Sequence, residues 1–323
     1  MPGDASAIDQ QHPRVQLTAP VLRRADNVIQ VGLAAECGVM LREADDRVAR
    51  FLDLLNGQLS LVAVRRRSEL SVPAADALIG TLRRAGVLVE SAAPPVQTVK
   101  IIGAGVLGSG IARLLAGGGV KRLILIDGAP ADPSTHRLRR PGSTNAEALA
   151  AELTSAALGQ PDRLVPMVAE HWTKPDGVTA DLTLVATDGH ECDRIVPDTL
   201  MRADEPHLLV RGHAVGVCVG PFVLPGCGPC VRCGDLHRTD RDPAWPSLLS
   251  QLRRLGPGPS TPVAAWGAST AVTQVLAWLA GHRPETWGAT LELTSVDWNT
   301  RLRTWSVHPD CGCTGLPAYR AGS

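Results

Sequence analysis

The 323-residue sequence lacks any apolar run long enough to cross a membrane. It also lacks an N-terminal segment that is first charged and then apolar, as a signal peptide is. We therefore expect a cytoplasmic protein with no membrane partner. Net charge is absent too, because 32 basic residues balance 32 acidic ones. The electrostatic footprint of nucleic-acid-binding proteins is missing, and we expect no nucleic-acid partner.

Lysine is scarce, since only Lys100, Lys121 and Lys174 occur among the 32 basic residues. The long stretch between Lys121 and Lys174 therefore depends on arginine for positive charge. What is present is a hydrophobic content of 44% and a charged content of 20%, which is typical of a globular protein with a real core. The length suits one large domain or two modest ones.

Composition and patterning divide the chain into three parts. Residues 1–18 are polar and aperiodic, and we expect them to form a flexible arm. Residues 19–92 show strands, then helices, then a strand, which predicts a small winged-helix-like domain. The stretch SAAPPVQ separates this domain from residues 97–323, where strands and helices alternate. That alternation predicts an α/β fold with a doubly wound, Rossmann-like and mostly parallel sheet.

Within the small domain, two short strands are expected on either side of a turn at 25–27. Asp45 and Asp46 open a predicted amphipathic helix, and a shorter helical piece is expected over 59–64. Ser71 is a suitable N-cap for a further helix over 74–85.

A glycine motif lies between two apolar strands of the large domain. Gly103, Gly105 and Gly108 have the spacing G-x-G-x-x-G, and the second strand ends at Asp127. The first glycine allows a tight turn, the second lets phosphate approach the backbone, and the third lets helix and strand pack closely. The helix N-terminus then offers N–H groups to a phosphate, and Asp127 can bind ribose hydroxyls. This pattern predicts a nucleotide site.

A second acidic residue is expected near this motif. The predicted strand over 182–186 runs directly into Thr187 and Asp188. Because the carboxyl ends of parallel strands meet at one edge of the sheet, Asp188 is expected on the same edge as the glycine loop.

The cysteines form two close groups. Residues 227–233 read CGPCVRC and residues 311–313 read CGC. Two such pairs from distant parts of a chain commonly complete a tetrahedral thiolate site, so Zn²⁺ is predicted at Cys230, Cys233, Cys311 and Cys313. A competing register pairs Cys227 with Cys230 and leaves Cys233 spare. A closed site of four thiolates is structural, not catalytic.

Together these elements resemble the ThiF/MoeB adenylyltransferase superfamily, the bacterial relatives of ubiquitin-activating enzymes. The resemblance covers about residues 97–315. It includes the order and spacing of the glycine motif, Asp127, an arginine-rich loop, Thr187–Asp188 and the cysteine pairs.

The resemblance implies an activity in which a peptide or small carrier protein attacks the α-phosphate of ATP through its C-terminal carboxylate, giving an acyl adenylate. It implies that the glycine loop and Asp127 bind ATP and that Asp188 holds Mg²⁺. It also implies that Arg139, with Arg140 or Arg137 as alternatives, neutralises phosphate charge. A homodimer is expected as well.

Three positions depart from the family pattern. The family has an asparagine before its arginine, where this chain has Thr135 or His136. It has glutamine directly after that arginine, where this chain has Arg140. It also has a lysine at the start of the next helix, and here none occurs between Lys121 and Lys174. No cysteine lies between residues 233 and 311, so direct thiol transfer is disfavoured.

Residues 19–92 resemble the PqqD-like module that recognises leader peptides in peptide-modification enzymes, which binds a peptide as an added strand. A plain winged-helix interaction domain and a DNA-binding domain are the alternatives. The first functional hypothesis is therefore a peptide-directed adenylyltransferase. The second is a catalytically silent protein that presents a precursor peptide to a modification enzyme. A nicotinamide-dependent reductase is a third interpretation, disfavoured by the cysteine pattern and by Thr187–Asp188.

Overall fold

The structure, a computed structural model, describes residues 14–33, 38–91, 97–137, 140–157, 164–171, 180–252 and 257–314. The chain divides into two units, Met1–Pro95 and Val96–Ser323. Among the described residues, none of the helices combines the length and the apolar character needed to cross a membrane.

The first unit contains two three-stranded antiparallel sheets and three helices among its described residues. The strand orders are β5-β1-β6 and β2-β3-β4. Its elements are β1 (Arg14–Leu17), β2 (Val21–Arg23), β3 (Ile29–Val31), β4 (Val39–Leu41), α1 (Asp46–Leu54), β5 (Asn56–Ser60), α2 (Leu61–Arg67), α3 (Val72–Arg84) and β6 (Leu88–Ser91).

The prediction of a flexible arm over 1–18 is wrong for Arg14–Leu17, and residues 1–13 lie outside the described residues. Arg14–Leu17 is the central strand β1, paired with β5 and β6, and Val15 is fully buried. Burial of Val15 depends on strands far along the chain, so local polarity could not reveal it. The winged-helix-like assignment of 19–92 stays a prediction.

The second unit is built on one eight-stranded sheet with the order β14-β13-β12-β11-β10-β7-β8-β9. The strands from β11 to β9 run parallel, and β12, β13 and β14 join antiparallel at the other side. This confirms the expected mostly parallel α/β fold. Its elements are β7 (Thr98–Ile102), α4 (Val106–Gly117), β8 (Arg122–Ile126), α5 (Asn145–Ala156), β9 (Val165–Val168), β10 (Leu182–Thr187), α6 (Ile195–Arg202), β11 (His207–His213), β12 (Gly216–Val223), α7 (Val231–Arg241), α8 (Trp245–Leu252), α9 (Thr261–Leu279), β13 (Ala289–Thr294) and β14 (Thr300–Thr304).

Apolar strands place the core between the sheet and its helices. β7, β8 and β10 are almost entirely buried, as near-continuous hydrophobic runs in a parallel sheet require. Helices α4 and α9 pack closely against each other. A Cβ added at Gly110 of α4 would lie only 3.2 Å from the Cβ of Ala268 in α9, so the absence of a side chain at position 110 allows this approach.

The chain order within the sheet creates a switch point. From β7 the chain moves to β8 and then β9 on one side, whereas β10 and β11 lie on the other side. Ligands of open α/β sheets bind at the carboxyl ends of strands beside such a reversal. We therefore expect a ligand site at the residues that follow β7 and β10.

Candidate functional site

The glycine motif follows β7 and makes the turn into α4. Gly103 has a φ of +95°, a left-handed conformation that favours glycine. A Cβ there would lie 2.0 Å from the carbonyl oxygen of Ala186, and one at Gly108 would lie 1.8 Å from the carbonyl oxygen of Gly103. The motif is therefore required by close packing of the loop against β10 and of α4 against the loop.

Asp188 follows β10 and lies at the N-terminus of α4. Its Oδ2 accepts a hydrogen bond from the N–H of Val106 at 2.5 Å, and its Oδ1 accepts one from the N–H of Leu107 at 3.0 Å. A Cβ at Gly105 would lie 2.1 Å from Asp188 Oδ2, so the middle glycine makes room for this carboxylate. The two N–H groups expected to face a phosphate donate here to Asp188.

Burial raises the pKa of Asp188 above its ordinary value. The hydrogen bonds from Leu107 and Val106 act in the opposite direction, and the nearby charges of Asp127 and Asp132 raise the pKa further. The site is therefore acidic and partly desolvated, which is an arrangement that a bound cation stabilises.

Asp127 holds the glycine loop from the end of β8. Its Oδ2 accepts from the N–H of Ala104 at 2.8 Å and from Asn145 Nδ2 at 3.2 Å, and its Oδ1 accepts from the N–H of Ala129 at 2.9 Å. The carboxylate thus joins the motif to the start of α5. This positioning role was not foreseen, and ribose binding by Asp127 stays a prediction.

The peptide of Ala104 is held on both sides. Its carbonyl oxygen accepts from Ser109 Oγ at 2.7 Å and lies 2.9 Å from Nε2 of His136. His136 is 1% exposed, and its Nδ1 has no hydrogen-bond partner among the described residues. The role of Ser109 was missed by sequence reasoning, although a polar residue on the buried face of a helix is a usable signal.

The arginine-rich loop is only partly described. Arg139 lies outside the described residues, and Arg140 is exposed, with its carbonyl oxygen accepting from Ser143. Arg113 of α4 was missed by the sequence analysis; it donates to Glu152 at 2.6 Å and to the carbonyl oxygen of Thr135 at 3.1 Å. Arg113 is therefore a further cation beside this loop.

A buried ion network lies just beyond Asp188. Arg211, at the end of β11, donates from Nη1 to both carboxylate oxygens of Glu191 at 2.5 Å. Arg194 donates to Glu191 at 2.8 Å and to Asp235 of α7 at 2.7 Å. Burial alone would raise the pKa of Glu191, but the guanidinium groups of Arg211, Arg194 and Arg238 lower it to about 2. The network joins the Asp188 loop to β11 and α7.

Four cysteines converge at the start of α7. Cys230 Sγ lies 3.5 Å from Cys311 Sγ and 3.9 Å from Cys233 Sγ, and Cys233 Sγ lies 3.4 Å from Cys313 Sγ. A tetrahedral site with Zn–S bonds of about 2.3 Å places its sulfurs about 3.8 Å apart. The spacing therefore fits zinc. We call these four residues the cysteine cluster.

Cys227 does not join the cysteine cluster. Its carbonyl oxygen accepts from Trp287 Nε1 at 3.1 Å, and its side chain packs against the main core. Of the two registers that the sequence left open, the geometry favours the one with Cys233.

Burial makes ionisation of three of these thiols costly when no cation is present. Burial raises the pKa of Cys230, and neighbouring thiolates raise it further. Burial raises the pKa of Cys313 to about 12. Burial also opposes ionisation of Cys233, but hydrogen bonds from His308 and Cys230 backbone groups lower its pKa. A metal ion would stabilise all four as thiolates, which is the ordinary state of a structural zinc site.

Comparison with known proteins agrees with this fold. The model of the ThiF family matches residues 96–314. No curated protein sequence matches the chain.

Solved structures share the fold. E. coli MccB with ATP is 15% identical, with a TM-score of 0.58, and the match covers 93% of this chain and 99% of that one. E. coli MccB alone is 16% identical, with a TM-score of 0.59, over 96% and 99% of the two chains. PaaA is 16% identical, with a TM-score of 0.56, over 90% and 99%. At these identities the likeness shows the fold alone.

Gly108→Ala is expected to lower the free energy of unfolding by about 1–3 kcal/mol, because the new Cβ meets backbone that cannot move freely. Denaturant unfolding followed by tryptophan fluorescence measures this, since all seven tryptophans lie in the second unit. Gly117→Ala, where a Cβ meets nothing within 4 Å, is the control and should not destabilise. Equal stability of the two variants would contradict the packing argument.

If the cysteine cluster binds zinc, the double change Cys230→Ser and Cys311→Ser is expected to abolish that binding and to lower the melting temperature, because two of the four predicted ligands are lost. Metal analysis by mass spectrometry after dialysis against a mild chelator measures the zinc. Cys227→Ser is the matched control and should keep it. Loss of zinc in the control, with retention in the double variant, would show that the ligands are assigned wrongly.

Glu191→Gln is expected to cost about 3–5 kcal/mol of unfolding free energy at neutral pH, because Arg211 is left buried without its counter-charge. The pKa of Glu191 falls from its usual 4.5 to about 2 in the folded chain, so its contribution is complete above pH 4.5 and disappears as the pH falls towards 2. Urea unfolding at several pH values checks this. The exposed Glu170→Gln serves as control, and a difference between wild type and Glu191→Gln that grows below pH 4.5 would refute the assignment.

Proposed function

This chain belongs to the ThiF family, and we propose that it is an ATP-dependent adenylyltransferase that activates the C-terminal carboxylate of a peptide or small carrier protein as an acyl adenylate. The observation that carries the proposal is the meeting of the glycine loop, Asp127 and Asp188 at the switch point of the sheet. Asp188 touches the first turn of α4, and Asp127 holds Ala104 inside the glycine motif.

The electrostatics support a nucleotide bound together with a cation. Asp127, Asp132 and Asp188 make the crevice acidic, and ATP would bring further negative charge. Asp188 is an oxygen ligand whose burial a cation would offset, so it is the residue proposed to hold Mg²⁺. Mg²⁺ supplies positive charge to the phosphates when bound, and it needs few protein ligands. Arg139 and Arg140 are the cations proposed to face the phosphates.

The chain's own groups suggest how nucleotide binding changes the loop. The N–H groups of Val106 and Leu107 can donate either to the Asp188 carboxylate or to a phosphate oxygen. Asp188 and phosphate therefore compete for the same helix N-terminus unless the carboxylate turns away. The bonds to Ala104 would keep the preceding turn fixed while this exchange takes place.

Relatives indicate the kind of partner. One solved structure of E. coli MccB contains ATP, and a structure of MccB, a microcin C7 biosynthetic enzyme, contains N-formylated MccA. For this chain we propose a peptide or small carrier protein as substrate, a homodimer as the assembly, and Zn²⁺ as a structural ion at the cysteine cluster. The PqqD-like interpretation of 19–92 supplies a means of docking such a peptide.

A second candidate function is a catalytically silent protein that binds a precursor peptide and presents it to a modification enzyme. Helix α5 favours it, because this helix begins with Asn145, whose amide donates to Asp127, where the family pattern has a lysine. Arginine does not simply replace the compact ammonium group of lysine at a phosphate.

Exchange of labelled pyrophosphate into ATP in the presence of a candidate precursor peptide distinguishes the adenylyltransferase from the silent peptide-binding protein. Peptide-dependent exchange is expected from the adenylyltransferase. Nucleotide binding by calorimetry without exchange would favour the silent protein. The absence of both would overturn both ATP-dependent catalysis and the nucleotide site.

Asp188→Asn is expected to reduce the exchange rate by about a hundredfold or more, because the group that faces cation and phosphates loses its charge. The fold should survive, since the amide oxygen can still accept from α4. Exchange rate and melting temperature are measured together, with the exposed Asp204→Asn as the matched control. Full activity of Asp188→Asn would contradict its proposed role.

A further inference from the structure

A second group of side chains that could hold a metal ion lies next to the cysteine cluster but shares no residue with it or with the crevice. It consists of His237 and Asp240 of α7 and His308, which follows β14. Their candidate ligand atoms all lie within 4.8 Å of one another. We call these three residues the His-Asp cluster.

The arrangement follows from helix periodicity and loop packing. His237 and Asp240 are three residues apart, so α7 presents them on one face. His308 Nε2 lies 2.9 Å from Asp240 Oδ2, and the rings of His237 and His308 meet edge to face at 4.8 Å between centroids. His308 is 5% exposed, whereas the Asp240 side chain is 63% exposed. One ligand is thus held rigidly, and another is open to water.

A metal ion must replace hydrogen bonds of both rings: Nε2 of His237 lies 3.1 Å from the carbonyl oxygen and from the hydroxyl of Ser306, and His308 has two further contacts. The N–H of Asp310 donates to Nδ1 at 3.1 Å, so Nε2 carries the ring proton and donates to Asp240. A metal ion at Nε2 replaces that proton, and the neutral ring then carries its proton on Nδ1. The Asp310 carboxylate, with Oδ2 4.0 Å from Nδ1, is the acceptor available once the turn adjusts. A carboxylate behind a metal-bound histidine is a common second partner.

Solvent reaches the cluster through a cavity of about 410 Å³. His237 and Asp240 line it together with Arg241, Arg303 and Trp305. Water can therefore complete the coordination of an ion held by three protein ligands.

We propose that the His-Asp cluster binds a divalent transition-metal ion, such as Co²⁺, Ni²⁺ or Zn²⁺. Two imidazoles and one carboxylate suit these ions, whereas Mg²⁺ and Ca²⁺ prefer oxygen ligands alone. The site does not depend on adenylation, because none of its three residues belongs to the nucleotide crevice or to the cysteine cluster.

Co²⁺ titrated into the full zinc-loaded chain tests the proposal. About one equivalent is expected to bind with visible d–d absorption and without the thiolate-to-cobalt charge-transfer band of a cysteine site. His237→Gln and Asp240→Asn should each weaken this binding by about a hundredfold. His282→Gln and Asp204→Asn, both on exposed residues outside the cluster, are the matched controls and should leave it unchanged.

Either of two results would overturn the proposal that the His-Asp cluster binds a metal ion. One is the absence of Co²⁺ binding other than at thiolates, which would leave Asp240 as a simple hydrogen-bond partner of His308. The other is binding of equal strength in wild type and in both cluster variants. Melting temperatures of the variants check folding, and His308 itself is left intact because its ring is buried and accepts from the N–H of Asp310, so that a substitution there would disturb the turn before Cys311.

Discussion

The contact between the Asp188 carboxylate and the first turn of α4 is the constraint on which the candidate site depends. The carboxylate satisfies two N–H groups that a helix N-terminus leaves without partners, and it lies at the positive end of the helix dipole. It fits only because position 105 has no Cβ, whereas Gly103 and Gly108 are required by two other contacts, with the carbonyl oxygens of Ala186 and Gly103. The contact between Asp188 and α4 thus explains the middle glycine of the motif, and it joins the strand ends on either side of the switch point.

The same contact determines which ligand charge the site can accommodate. A helix N-terminus that is already neutralised by a carboxylate offers little to a second anion, and two more acidic residues lie close by. Phosphate binding therefore requires that positive charge be brought in. The missing lysine makes this demand greater, because Asn145 contributes a dipole and no charge. A phosphate ligand without an accompanying cation would therefore be a poor match for this site.

Local chemistry made much of this architecture predictable, and distant pairing made the rest unpredictable. The glycine motif and the strands around it follow from short spacings that carry their own physical reasons. The convergence of Cys230, Cys233, Cys311 and Cys313 was predictable for another reason, because two close cysteine pairs commonly share one metal ion. Strand β1 depends on burial of Val15 by β5 and β6, so the residues next to Val15 in sequence do not predict a strand there. The pairing of Glu191 with Arg211 joins residues twenty positions apart whose types alone suggest a solvated surface.

Helix α7 shows why polar segments resist prediction. Its sequence VRCGDLHRTDR has almost no apolar periodicity, yet it forms eleven residues of helix. Specific contacts on its several faces stabilise it in place of an apolar stripe: Cys233 in the cysteine cluster, Asp235 with Arg194, and Arg238 between the rings of Trp245 and Trp305 at 4.8 and 5.0 Å. Arg194 also bonds Glu191, which stands three residues after Asp188. The cysteine cluster and the loop of Asp188 are therefore joined by one helix and two ion pairs, so a metal ion bound at the cysteine cluster would stabilise a helix that helps to hold that loop.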